Sequence, residues 1–484
     1  NGNGVPDECE SISHWGGGNG LWTTPSSWVE GVAPANGNHV CIQDADEVVT
    51  VTYAGGTTQV AILACDENFS VAAGAGQSAQ LTLAGPSFVR GGLSLLNNNS
   101  VLRVDDRLDL DGLFQWTGSN SSSHATLTGA GTTYAQGGMH VLGANSLSLD
   151  NHDLVLGGQS VVAAGRIDFA GASTITILPG ATHDHQSSHA VIQGFGGTGN
   201  MLHNQGTLIK SVSTGNSAIN AYFTNSGLVH VQAGTLSLRY PSVNTGAFLA
   251  DPGTTLGLGQ GEFEPTSSIV GEHVDFQAGS TANIRGTYNV SDLTEVHTPV
   301  TFASGANIIN YGANFGIYTN AATFNAVVGR TIHFETLYIG SVATFNSGDA
   351  IVAETMTLVG GGARVDGPSP ITVNGLLDWG AGAGFTGPGV VNIHGQMVVG
   401  PGGGQKSLYD RTINNAGLTT MNGRFEMLGS AAFNNLPSGV FDILIDGIII
   451  GSGSTTPFNN AGRVVKSFGV GISTIRAPFN NTGT

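Results

Sequence analysis

The chain has 484 residues, of which 75 are glycine and only 10% are charged, and its formal net charge is −18. That balance disfavours nucleic acid and anionic membrane surfaces as partners, and no apolar run approaches the roughly eighteen residues that a membrane-spanning helix needs. Disorder is disfavoured too, because 40% of the residues are apolar and they recur in short β-branched runs.

At the N-terminus, Asn1-Gly2-Asn3-Gly4-Val5-Pro6-Asp7-Glu8-Cys9-Glu10 places oxygen donors at every second position. Counted against an EF-hand-type loop with ligands at positions 1, 3, 5, 7, 9 and 12, Asn1 takes position 3 and Asn3 position 5. Gly4 is then the turn, Val5 offers its carbonyl, Asp7 stands at position 9 and Glu10 closes the loop at position 12. Position 1 falls before Asn1, so the calcium site expected within residues 1–12 is partial. The plainer alternative is a solvated Asn/Gly-rich linker. The segment resembles the D-C-N-x-N-G-V-P-D-x-C-E loops of large secreted bacterial proteins, similar to thrombospondin type 3 and dockerin loops. The resemblance implies calcium, and it implies a cysteine at loop position 2 as the partner of Cys9, a residue absent from this chain.

Residues 13–40 hold Trp15, Trp22 and Trp28 among Gly17, Gly20, Gly31 and Pro34. Such clustered aromatics suit a cap over the open end of a first coil, with a carbohydrate-stacking platform as the alternative. The spacing resembles the W-x-G-x-x-G-x-W-x(5)-W-x-x-G-x-x-P opening of secreted bacterial β-solenoids, including autotransporter-like passengers. Export to the extracellular space or cell surface is what that resemblance implies.

Cys41 and Cys65 lie 24 residues apart. A coil of that length would set them on adjacent rungs about 5 Å apart, within reach of a disulfide, so a Cys41–Cys65 bridge is expected. Two buried free thiols are the alternative. Asp105, Arg107, Asp109 and Asp111 alternate with Val104, Leu108 and Leu110, as in a strand with its charges outward. His183-Asp184-His185 with His189 has a spacing compatible with a transition metal, but it follows Pro179-Gly180 and reads as a polar surface loop.

The decisive feature is a repeat. A hydrophobic-Asn-x-Gly element followed by a strand-like run recurs around Asn204, Asn225 and Asn244, at steps of 21 and 19 residues. It returns around Asn415, Asn435, Asn460 and Asn481, at steps of 20, 25 and 21. Alternating runs broken by Gly and Asn are short strands rather than the helical segments of a leucine-rich repeat. The predicted fold is all-β: a single-stranded parallel β-helix (β-solenoid) of roughly twenty coils over residues 41–484, on the order of 100 Å long. Coils of roughly 20–25 residues stack like on like, so the asparagines are expected to form an amide ladder and the glycine two positions on a corner with positive φ. Right-handedness is the general expectation for parallel crossovers.

Between the two blocks lie Glu272 and Asp275, then Asp292 and Glu295 twenty residues later, with Arg285 between. At one residue per rung these carboxylates would stack as the acid and base of a polysaccharide lyase or hydrolase, although solvated faces and ion sites have the same signature. There is no G-x-S-x-G elbow, zincin helix or P-loop. The expected function is therefore structural: an extracellular rod that forms a head-to-tail homopolymer or acts as an adhesin, with extracellular glycans as a second class of partner. Both ends look interrupted, Asn1 inside the calcium loop and Thr484 inside a fresh repeat, as expected either of a fragment of something longer or of subunits that stack end to end and complete one another. A polysaccharide-active enzyme or glycan-binding module is the alternative.

Overall fold

A computed structural model describes residues 13–44, 46–118, 124–143, 146–188, 190–194, 199–277, 279, 281–402, 404–452 and 456–484. The calcium-loop positions Asn1, Asn3, Val5, Asp7 and Glu10, together with Cys9 and His189, lie outside the described residues.

Alternating apolar runs broken by Gly, Asn and Ser fold as short strands such as Leu93–Leu96 and Phe114–Thr117. Among the described residues there is no α-helix, and one 3-10 turn spans Pro25–Ser27. The chain divides into two compact units, residues 1–254 and 255–484. Each is a parallel β-solenoid, and together they make about twenty turns.

In the first unit one interior column runs Leu81, Leu102, Leu127, Leu149 and Phe169, each in register with the next coil and at most 1% exposed. In the second, Ile284, Phe302, Phe324 and Phe345 form another, with the last three rings stacked at 5.4 and 4.5 Å. Each such side chain contributes about 1.5–3 kcal/mol on burial. The period seen in the sequence is thus the length of chain that returns a side chain to the same column.

The Trp-rich segment is itself a coil. Ser13–His14 pairs with His39–Ile42, and Gly20–Leu21 with Thr50–Tyr53. Trp15, Trp22 and Trp28 are buried and meet edge to face at 5.0 and 5.1 Å, and Trp22 packs on Tyr53 and Phe69. Their rings are turned inward, so no tryptophan face is presented for stacking on a sugar.

Asparagines run along both surfaces of the strands. Inside, Asn204 Nδ2 donates to Asn225 Oδ1 at 2.8 Å, with Asn244 next in register. In the second unit Asn415 donates to Asn435, Asn435 to Asn460 and Asn460 to Asn481 at 2.7–2.8 Å. Outside, a second column runs the other way: Asn480 donates to Asn459, Asn459 to Asn434, Asn434 to Asn414 and Asn414 to Asn392 at 2.8–3.0 Å. The inner amides point their donors toward the next coil and the outer ones toward the previous coil.

The glycines of the repeat do not hold positive φ. A Cβ on Gly227 would collide with the Gly206 carbonyl oxygen, and one on Gly417 with that of Gly395. Close approach of successive backbones, and not a left-handed corner, requires glycine there.

The Cys41–Cys65 bridge does not form. Cys41 is in register with Ala64, and Cys65 with Ile42, so alternation sends the two side chains to opposite faces. Cys65 is a free thiol in the interior, its Sγ donating to the Glu67 carbonyl at 3.3 Å, and burial pushes it far above the usual thiol range. Cys41 lies on the other face with Ala64 and Phe88.

Candidate functional site

The strands Ser268–Phe276 and Thr287–Val296 of the second unit bring Asp275 and Glu295 side by side on successive coils. His297, two residues beyond Glu295, points to the same face, and one ligand atom from each of Asp275, Glu295 and His297 lies within 4.8 Å of the others. His297 Nε2 is 3.9 Å from Asp275 Oδ1, and Gln277 Nε2 donates to Asp275 Oδ2 at 3.3 Å. His273 Nε2 meets Glu295 Oε2 at 3.0 Å while its Nδ1 faces the Thr255 hydroxyl at 3.0 Å. These partners suit a Nε2–H tautomer, donating to the carboxylate and accepting from threonine.

An aromatic stack continues the face. The His297 ring lies 4.8 Å from that of Tyr318 and nearly parallel to it, and Tyr318 lies 5.0 Å from Tyr338. Gly316 makes room for it: a Cβ there would strike the Tyr318 ring. Burial raises the Asp275 carboxyl above its usual range, against the lowering effect of Gln277 and His297. Burial also raises the Tyr318 phenol, helped by the neighbouring Glu295 charge. The arrangement is a half-buried carboxylate pair with an imidazole and a ring wall, able to exchange protons or to hold a divalent cation.

The other carboxylates of the sequence reading stay apart from this set. Pairing slips between Gly271 and His273, so Glu272 faces a bulge formed by Ser291 and Asp292. Asp292 is exposed and accepts from Asn314 Nδ2 at 2.8 Å. Arg285 pairs instead with Glu262 at 3.1 Å and Glu264 at 3.6 Å. His273, His297, Tyr318 and Tyr338 escaped the sequence reading, although His297 stands at the same-face spacing from Glu295.

A groove opens elsewhere on the second unit. Ile332–Phe334 pairs forward with Ile351–Ala353, but among the described residues no ladder joins it back to Asn307–Tyr311. The splayed rungs enclose a cavity of about 440 Å³ edged by Arg330, His333, Glu335 and Glu354. The Arg330 guanidinium donates to the Ile309 carbonyl, one of the groups the opening would orphan. Tyr311, only 2% exposed, lines the cavity with a hydroxyl that has no partner among the described residues.

The histidine motif is not a surface loop. Thr182–His185 is a strand, and alternation turns His183 and His185 into the interior, fully buried, with ring centroids 4.7 Å apart. None of their ring nitrogens has a partner among the described residues, and the buried Lys210 side chain lies on the neighbouring strand. Asp184 faces outward and accepts from Ser211 and Gln186. No family model matches the chain, and neither the curated proteins nor the solved structures yield a match.

Proposed function

We propose that the chain is a structural β-solenoid of the extracellular space or cell surface, serving as a fibre or adhesin whose copies associate end to end. The observation that carries this reading is the pair of counter-running asparagine columns over an apolar, in-register interior. Most of the repeat is committed to coil-on-coil contact, and the charged fraction is low. A stack of this kind extends wherever one open edge meets another in register. Calcium at residues 1–12 belongs to the same proposal and rests on the spacing of its oxygen donors. Negative-stain electron microscopy, with calcium and then with chelator, tests it. Narrow unbranched fibres that disperse in chelator are expected, and single particles under both conditions would remove the polymer from the proposal.

A second reading, a polysaccharide-active enzyme, is favoured by Asp275 and Glu295 standing in register. Carboxyl groups on adjacent rungs suit the roughly 5 Å separation of a retaining glycosidase. Release of reducing sugar from neutral and anionic polysaccharides, abolished in Glu295→Gln, is the expected result on that reading. Absence of turnover across the panel would dismiss it.

A further inference from the structure

On the first unit, Tyr222 and Tyr240 stand in register on successive coils, 42% and 43% exposed, with rings 6.1 Å apart. They edge a cavity of about 300 Å³ completed by Gly194, Asn200, Asn220 and Ala221. Pairing between Asn216–Asn225 and Thr235–Asn244 slips between Ile219 and Tyr222, so Asn220 and Ala221 oppose the single residue Arg239. The bulge widens the corner where the cavity lies. Gly194 keeps it open, since a Cβ there would stand 3.0 Å from the Asn220 carbonyl oxygen.

Asn200 is 2% exposed and lines this cavity. Its Oδ1 accepts from the Ser173 backbone N–H at 3.1 Å, while its Nδ2 has no hydrogen-bond partner among the described residues. A buried donor without an acceptor is unfavourable, and a ligand oxygen placed there would relieve that cost. Among the described residues no carboxylate, ammonium or guanidinium lines the cavity.

We propose that this corner is a binding subsite for a neutral carbohydrate. The apolar face of a pyranose ring lies along the Tyr222–Tyr240 pair, and a hydroxyl on its edge accepts from Asn200 Nδ2. Two exposed rings one coil apart, an amide Nδ2 without a partner among the described residues and a described lining free of charge match a ligand with one apolar face and a polar edge. The proposal is independent of polymer formation and of the Asp275–Glu295 face.

The full chain would be applied to a printed array of cello-, xylo-, manno- and chito-hexaoses beside anionic glycans, and the neutral glycan best retained titrated by calorimetry. Tyr222→Ala and Tyr240→Ala should each weaken binding about tenfold, while Tyr222→Phe and Tyr240→Phe retain it. Gly194→Val, which fills the cavity, should abolish it, and Tyr409→Ala, an exposed tyrosine on the other unit, should change nothing. Both alanine positions are exposed, so these variants remain informative even where Gly194→Val fails to fold. Retention of no glycan, retention of anionic glycans alone, or affinity that survives both alanine substitutions would each overturn the proposal.

Discussion

Acidification from about pH 7.5 to about pH 4 is expected to destabilise the first unit by about 3 kcal/mol through His183 alone. Burial keeps His183 neutral and lowers it from 6.5 to about 4, against the raising effect of Asp184. His185 is held well below 6.5 by burial, then by His183 and Lys210. In the unfolded chain both imidazoles protonate near 6.5, so between about 6.5 and about 4 the unfolded state binds more protons. Stability is therefore intact above about 6.5 and is lost as the pH falls toward about 4. The gap, at about 1.4 kcal/mol per pH decade, gives the figure for His183, and His185 adds to it. Urea unfolding followed by tryptophan fluorescence reports mainly on this unit, which holds Trp15, Trp22, Trp28 and Trp116, while Trp379 lies in the other. With an m-value of roughly 2–3 kcal/mol/M, the midpoint should fall by about 1 M. His183→Leu with His185→Leu should remove that part of the fall. Superimposable pH profiles for wild type and double variant would refute the reasoning.

Asn435→Leu removes the donor to Asn460 Oδ1 and to the Gly439 and Arg463 carbonyls, and should cost about 2–3 kcal/mol in urea unfolding of the second unit. Asn434→Leu, in the outer column, should cost less than about 1 kcal/mol. Gly227→Ala drives a Cβ into the backbone of the coil before it, where no flexible side chain can give way, so a loss of roughly 2–4 kcal/mol or failure to fold is expected in the same assay. Cys65 should resist maleimide in the native state and react fully in denaturant, as mass spectrometry would record.

The coil length and the identity of the stacking residues were legible because both repeat. What the sequence hid were departures from the repeat. The Cys41–Cys65 expectation failed by one residue, because a spacing of 24 fixes neighbouring rungs but not which face a side chain takes. Bulges work the same way: one slip separates Glu272 from the set that holds Asp275 and Glu295, and another opens the corner beside Tyr222. His183 and His185 read as surface residues because two imidazoles and an aspartate look polar, yet strict alternation already placed the pair on one side. The groove by Tyr311 arises from a missing ladder, an event with no residue-level signature.

The counter-running asparagine columns have an evolutionary reading. In the second unit each amide of these columns meets another asparagine one coil away, so the coil is the smallest piece the chain can gain or lose there without rewriting its contacts. Excision of residues 436–460 would carry Asn434 and Asn435 onto Asn480 and Asn481, preserving both columns. Duplication of the same stretch would preserve them equally. Length is then a trait that recombination can vary freely, while position within the coil is held fixed by the neighbours on either side.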